Sequence, residues 1–224
     1  MDPLTVTKFT QAIVRKPCPE MTEGITTARL GIPGYTLAMQ QHNVYVEALR
    51  SLGLNITVLE ADSRYPDSTF VEDVALCTPG MAVVTSPGAP SRRGEEKEME
   101  QVLRKFYEQI ETIVSPGTLD AGDVMMAGSH YYIGISARTS EMGADQLIRI
   151  LERYSLTGEK VEVGSMLHLK TGAAYLENDT VLVAGPMADH PSFSRLRKLV
   201  VPEGEEYAAN AVWINGTVLV ADGF

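Results

Sequence analysis

The chain has 224 residues, 44% of them hydrophobic, and a net charge of -10 from 29 acidic against 19 basic residues. That is enough apolar material for one sizeable core, and the acidic balance disfavours nucleic acid and anionic membrane while suiting a small cationic ligand. Cys18 and Cys77 form no CxxC pair, which argues against a disulfide framework or zinc site, and with no apolar run of signal-peptide or membrane-spanning kind the expected setting is cytoplasmic.

In chain order, residues 9–14 predict a strand. Residues 35–52 predict a helix with Leu37, Val44, Val46 and Leu49 among its apolar positions, and 56–59 a closing strand. The pattern then changes to strand, turn, strand. Residues 74–85 turn at Pro79 and Gly80. Residues 95–106 carry Met99, Val102, Leu103 and Phe106 at helical spacing, and a β-like run, 110–114, follows. Residues 124–135 turn at Gly128 and Ser129. Residues 140–154 put Leu147, Ile150 and Leu151 on one stripe behind a capping Ser140, with a strand over 161–163 after them. Residues 173–184 turn near Asn178 and Asp179, ahead of a short helix over 191–198 and a strand over 199–201. Residues 211–220 turn at Asn215 and Gly216, the strongest short hairpin signal.

The hairpins are preceded by Asp73, Asp123, Gly172 and Asn210, at steps of 50, 49 and 38 residues. Repetition on this scale marks stacked or ring architectures. The repeating unit is ββαβ: one unit without its front strand, three whole units, and a last hairpin. The expected fold is an α/β, five-module ββαβ propeller, a single domain over 1–224 with its last module truncated. Ring closure removes exposed sheet edges. The sequence therefore leaves two expectations, a further segment that completes the ring, or an open ring whose unpaired edges could make a homodimer.

In a ring, the segments leading into the hairpins converge on a central channel. They read PDSTFVED (66–73), LDAGD (119–123) and LHLKTG (167–172). Clustered carboxylates are costly unless a cation neutralises them, and a guanidinium matches carboxylates two donors at a time. Asp67 and Asp123 taken singly read equally well as turn caps. His168, in a strand-like run between Leu167 and Leu169, reads alone as a core histidine. Beside acidic residues at equivalent positions it becomes a general acid/base candidate, with Asp120 as a supporting carboxylate. Arg92 and Arg138 follow the first two complete hairpins at matching places, as a carboxylate clamp or as surface residues at helix starts. Cys77 reads as a small core residue of the first hairpin.

Eight segments carry a family resemblance: GITTARLG (24–31), QHNVYVEAL (41–49), PDSTFVED (66–73), SRRGE (91–95), GTLDAGD (117–123), YIGISARTS (132–140), LHLKTG (167–172) and YAANAVW (207–213). Over residues 11–223 the sequence resembles the dimethylarginine dimethylaminohydrolases (dimethylargininases) of the guanidine-modifying, or pentein, superfamily. The resemblance implies hydrolysis of methylated arginines to citrulline and a methylamine, through a cysteine thiolate and with neither metal nor cofactor. It implies His168 as general acid/base, Asp120 as its partner, and Asp67, Glu72 and Asp73 around the guanidinium and amino ends. Arg92 and Arg138 would bind the α-carboxylate, and the Ile25 backbone would meet the substrate from a lid. Neither cysteine matches the family's nucleophile, which is expected beyond Phe224. An arginine deiminase-like hydrolase on the same fold and a catalytically silent binder of arginine analogues are the alternatives.

Overall fold

The computed structural model describes residues 8–26 and 31–223. Residues 27–30 of the GITTARLG segment, and Phe224, lie outside them. The ββαβ unit recurs as expected. In the first sheet β1 (Gln11–Arg15) pairs in parallel with β2 (Asn55–Leu59) across helix α1 (Tyr35–Ser51). The second has β3 (Ala75–Cys77) antiparallel to β4 (Ala82–Val84), then α2 (Glu95–Leu103), then β5 (Ile110–Thr112) parallel to β4. The third repeats this with β6 (Val124–Ala127), β7 (His130–Ile135), α3 (Glu141–Arg153) and β8 (Thr157–Glu162). The fourth has β9 (Ala173–Tyr175), β10 (Thr180–Val183) and β11 (Arg197–Val200). The fifth is the hairpin β12 (Val212–Ile214) and β13 (Thr217–Leu219).

Local chemistry explains these elements. Ser140 caps α3, its Oγ accepting the Gly143 N–H at 3.2 Å, and the helix buries Ala144, Leu147, Ile150 and Leu151 along one stripe. The last hairpin turns through Asn215 and Gly216 at φ 50° and 90°, the two left-handed residues that a two-residue hairpin loop requires.

The packing is that of a ring. Each pair of neighbouring sheets encloses one apolar cluster. Ile13 and Leu59 pack on Val74, Val84 and Met99 between the first and second sheets. Leu76 and Val83 pack on Tyr131, Ile133 and Leu147 between the second and third. Tyr132 and Val161 pack on Val181 and Phe193 between the third and fourth. Ala184 and Val201 meet Ala209 on the way into the fifth hairpin, and Ile214 and Leu219 return to Val14, Val46 and Leu49 of the first unit. Asn215 fastens that last joint: its side chain accepts from Phe9 N at 2.9 Å and donates to Phe9 O at 2.9 Å. The first and last sheets therefore touch, and the fold is a five-module α/β propeller.

Three sequence expectations need correction. Residues 191–198 form no α-helix. Two 3-10 turns, Gly185–Asp189 and Pro191–Phe193, replace it, and β11 already begins at Arg197. Pro186 and Pro191 bring no N–H donor and suit only the first positions of short turns. His168 is not in a strand. It caps the single-turn helix α4 (Leu169–Gly172), where Thr171 Oγ1 accepts the His168 N–H at 3.1 Å. Cys77 is exposed; strand alternation gives the buried place to Leu76. No helix among the described residues is long and apolar enough to cross a membrane.

Candidate active site

Three lead-in turns meet: the 3-10 turn Val71–Val74, the 3-10 turn Ala121–Asp123, and α4. Each places a functional group just before a β-strand, and the apolar clusters between sheets fix how far apart the turns sit. Asp120 is 1% exposed. Its Oδ1 accepts the Gly88 N–H at 2.9 Å and its Oδ2 lies 3.3 Å from His168 Nε2. Asp73, also buried, accepts the Gly122 N–H at 3.2 Å on Oδ1, which is 4.0 Å from the same imidazole nitrogen. His168 thus stands between two buried carboxylates from two different modules.

Gly122 makes this approach possible. A Cβ there would lie 2.6 Å from Asp73 Oδ1 and 3.0 Å from the His168 ring, so any side chain would push the carboxylate aside and crowd the imidazole. Here the glycine is needed for close approach and not for backbone conformation.

Charge follows from this packing. Burial acts to lower the His168 pKa, but the hydrogen bond to Asp120 and the charges of Asp73, Asp123 and Asp120 outweigh it, so the ring holds its proton above the ordinary imidazole range. Burial pushes the Asp73 carboxyl up while the Arg92 guanidinium pulls against it. Arg92 is itself buried. Its Nε and Nη2 meet Glu95 at 3.0 and 2.8 Å, Nη2 also donates to Phe70 O at 3.0 Å, and Nη1 donates to Asp73 Oδ2. Four of its five N–H donors are engaged by described residues. Despite burial, Glu95 and Asp73 hold the guanidinium charged.

The other predicted residues form the rim. Both Asp67 oxygens face the Ile25 N–H, at 3.1 and 3.2 Å, so this carboxylate holds the stem of the predicted lid. Glu72 is exposed and takes Lys170 Nζ at 2.7 Å. Arg138 is half-buried. Its backbone abuts Gly88, where a Cβ would lie 2.3 Å from Arg138 O, and Gly88 is the residue bonded to Asp120. Its backbone N–H is held by Ser136 Oγ at 2.9 Å. Ile25 and Asp67 bond each other and not His168.

Cys18 is buried with its Sγ 4.0 Å from the Tyr65 and Pro66 carbonyls, and burial pushes its thiol up. Cys77 lies at the end of β3. Neither bonds His168. Asp73, Asp120 and His168 offer ligand-type atoms within 4.8 Å of one another. A planar guanidinium can meet two carboxylates at once. Sequence reasoning passed over Gly122, Gly88, Lys170 and Glu95. It weighed Asp123 equally as a turn cap and as a functional group and gave it no role of its own, although Asp123 precedes Val124 as Asp73 precedes Val74 on the way into the opening strands.

Residues 35–188 match the family model of eukaryotic N,N dimethylarginine dimethylhydrolases. The N(G),N(G)-dimethylarginine dimethylaminohydrolase of Pseudomonas aeruginosa is 46% identical over 217 residues, 96% of this chain and 85% of that protein. This chain belongs to the dimethylarginine dimethylaminohydrolase family. The family member from Streptomyces coelicolor is 34% identical over 212 residues, 94% of this chain and 81% of its own. A crystal structure of the Pseudomonas aeruginosa dimethylarginine dimethylaminohydrolase, a cysteine-to-serine variant complexed with citrulline, superposes with a TM-score of 0.96 over 97% of this chain and 86% of that one. Beyond the family, the N-terminal domain of ArgZ, a cyanobacterial arginine dihydrolase, superposes with a TM-score of 0.81 at 16% identity, a likeness of fold.

Proposed function

We propose that the chain is an amidine hydrolase that converts Nω-methylated arginines to citrulline and methylamine or dimethylamine. The observation that carries this reading is His168 held between the buried carboxylates of Asp120 and Asp73. Such a cluster receives a guanidinium and keeps an imidazolium proton ready beside it. Family membership and the relative complexed with citrulline support it.

In this mechanism Asp73 and Glu72 bind the guanidinium and amino ends of the substrate. Arg138, with the remaining Arg92 donor, takes the α-carboxylate, and Asp67 presents the Ile25 backbone to the ligand. A thiolate adds to the central guanidinium carbon and forms a C–S bond. The C–N bond to dimethylamine then breaks, and the leaving nitrogen takes the His168 proton. His168 next accepts a proton from water as that water adds to the same carbon. The C–S bond breaks, and citrulline and the thiolate are released. Asp120 orients the imidazole and stabilises its charged form throughout. Neither Cys18 nor Cys77 bonds His168, and it is the family resemblance that assigns the thiolate to a cysteine other than these two. No step calls on a metal or cofactor.

This reading extends to a single domain in which the five clusters interlock, a cytoplasmic setting and self-association as a homodimer. Dimethylarginine and arginine offered side by side, with citrulline as the readout, test the activity; faster turnover of arginine favours the deiminase-like alternative. The position of the two cysteines favours a second reading, a silent binder of arginine analogues. Calorimetry showing dimethylarginine binding without citrulline formation selects it.

A further inference from the structure

Asp73 and Asp123 make the same connection one module apart. Asp73 accepts the Gly122 N–H of the next lead-in turn at 3.2 Å, and Asp123 accepts the Leu169 N–H of the turn after that at 2.9 Å. Each also binds the loop behind its own hairpin. Asp73 takes Arg92 there. Asp123 takes the hydroxyls of Ser136 and Thr139, both at 2.7 Å on Oδ2. Asp123 is completely buried and touches the residue next to His168. Its two hydroxyl donors flank Arg138 in sequence, and Ser136 Oγ also accepts the Arg138 and Thr139 N–H groups at 2.9 and 3.1 Å.

We propose that Asp123 is a positioning residue for His168: its carboxylate fixes the turn that carries the imidazole through the Leu169 amide, and its buried negative charge favours the imidazolium. The inference rests on the acid/base reading of His168. Three hydrogen bonds make the carboxylate costly to remove. Burial pushes the Asp123 carboxyl up, while Ser136, His168, Thr139 and the Leu169 amide pull it down, and its charge is among those that raise the His168 pKa. Among the described residues, Asp120 at 3.3 Å and Asp73 at 4.0 Å also face the ring; Arg92 stands behind Asp73, and Lys170 pairs with Glu72 at the rim. Asp123 also joins the His168 turn to the Arg138 loop, so one buried group sets both the proton donor and the carboxylate-binding arginine.

Asp123→Asn separates charge from shape. The amide carbonyl can still accept from Leu169, and the Ser136 and Thr139 hydroxyls can rotate to accept from the amide NH2. The test is an NMR titration of the His168 ring in the 224-residue chain. The imidazole of Asp123→Asn should titrate at lower pH than in the unaltered protein. An unmoved titration overturns the proposal and leaves Asp123 with a packing role alone. If the variant does not fold, the unaltered chain still decides. The Leu169 amide should be protected from hydrogen exchange and its shift should follow the titration of a buried carboxyl; rapid exchange at Leu169 overturns the proposal. Failure of the acid/base reading looks different: in a protein with its nucleophile in place, turnover would survive loss of His168, whatever the NMR comparison shows.

Discussion

Asp73 and Asp123 occupy one register of the repeat, and their environments have diverged. Asp73 has a guanidinium partner and faces His168, its Oδ1 4.0 Å from the imidazole Nε2. Asp123 has hydroxyl and amide partners and is sealed behind the site. An ionic partner leaves a carboxylate able to exchange one cation for another. Hydroxyl and amide donors hold a carboxylate in place and give a ligand nothing to displace. In the proposed mechanism the same position in two modules supplies one group that meets the ligand and one that supports it.

The largest effect expected from this comparison is on stability. Asp73→Ala leaves Arg92 with one carboxylate fewer in a buried setting and should cost about 3–5 kcal/mol in denaturant unfolding; a loss within 0.5 kcal/mol, the usual surface range, would mean that Arg92 and Glu95 form a self-sufficient pair. Next is chemistry. In a protein with its nucleophile in place, His168→Gly should cut citrulline formation by about 100-fold or more, and near-normal turnover would remove His168 from the mechanism. Gly122→Ala drives a methyl group between Asp73 and His168 and should destabilise by about 1–3 kcal/mol, with weaker dimethylarginine binding by calorimetry. Unchanged binding would show that the two groups need not be so close. Arg138→Met should weaken dimethylarginine by about 10-fold, the scale of one hydrogen bond to a charged group; an unmoved affinity would assign the α-carboxylate elsewhere.

The smallest effect is the pH dependence. The folded-state pKa of His168 is raised above its ordinary 6.5. Its contribution to stability is therefore complete below about 6.5 and is lost as pH rises through the folded value, at no more than about 1.4 kcal/mol per pH unit. Thermal unfolding should reveal that decline, and Asp120→Asn should flatten it. A decline of equal size in the variant would trace it to other groups.

Much of this was legible in the chain because local chemistry is periodic. Asn215 and Gly216 announce a hairpin, Ser140 caps a helix whose stripe is Leu147, Ile150 and Leu151, and the lead-in residues repeat. Position in the tertiary structure was not legible. Leu37 and Val44 of α1 are exposed although their spacing is helical, while the side carrying Val46 and Leu49 joins the cluster with Val14, Leu54 and Ile214. His168 read as strand because an extended backbone also serves a helix cap. Arg92 and Arg138 looked alike from their surroundings, yet one is bound to two carboxylates and the other has its backbone against Gly88.

The sequence by itself determined the repeat, the elements of each module and the chemical types at each lead-in turn, since hydrogen-bonding turns and apolar spacing act over a few residues. Only the tertiary structure decided which carboxylate faces the imidazole, which is shut behind it and how near they come. Those outcomes depend on a glycine with room for no side chain and on how five apolar joints orient neighbouring modules, and packing across modules leaves no mark at short range along the chain.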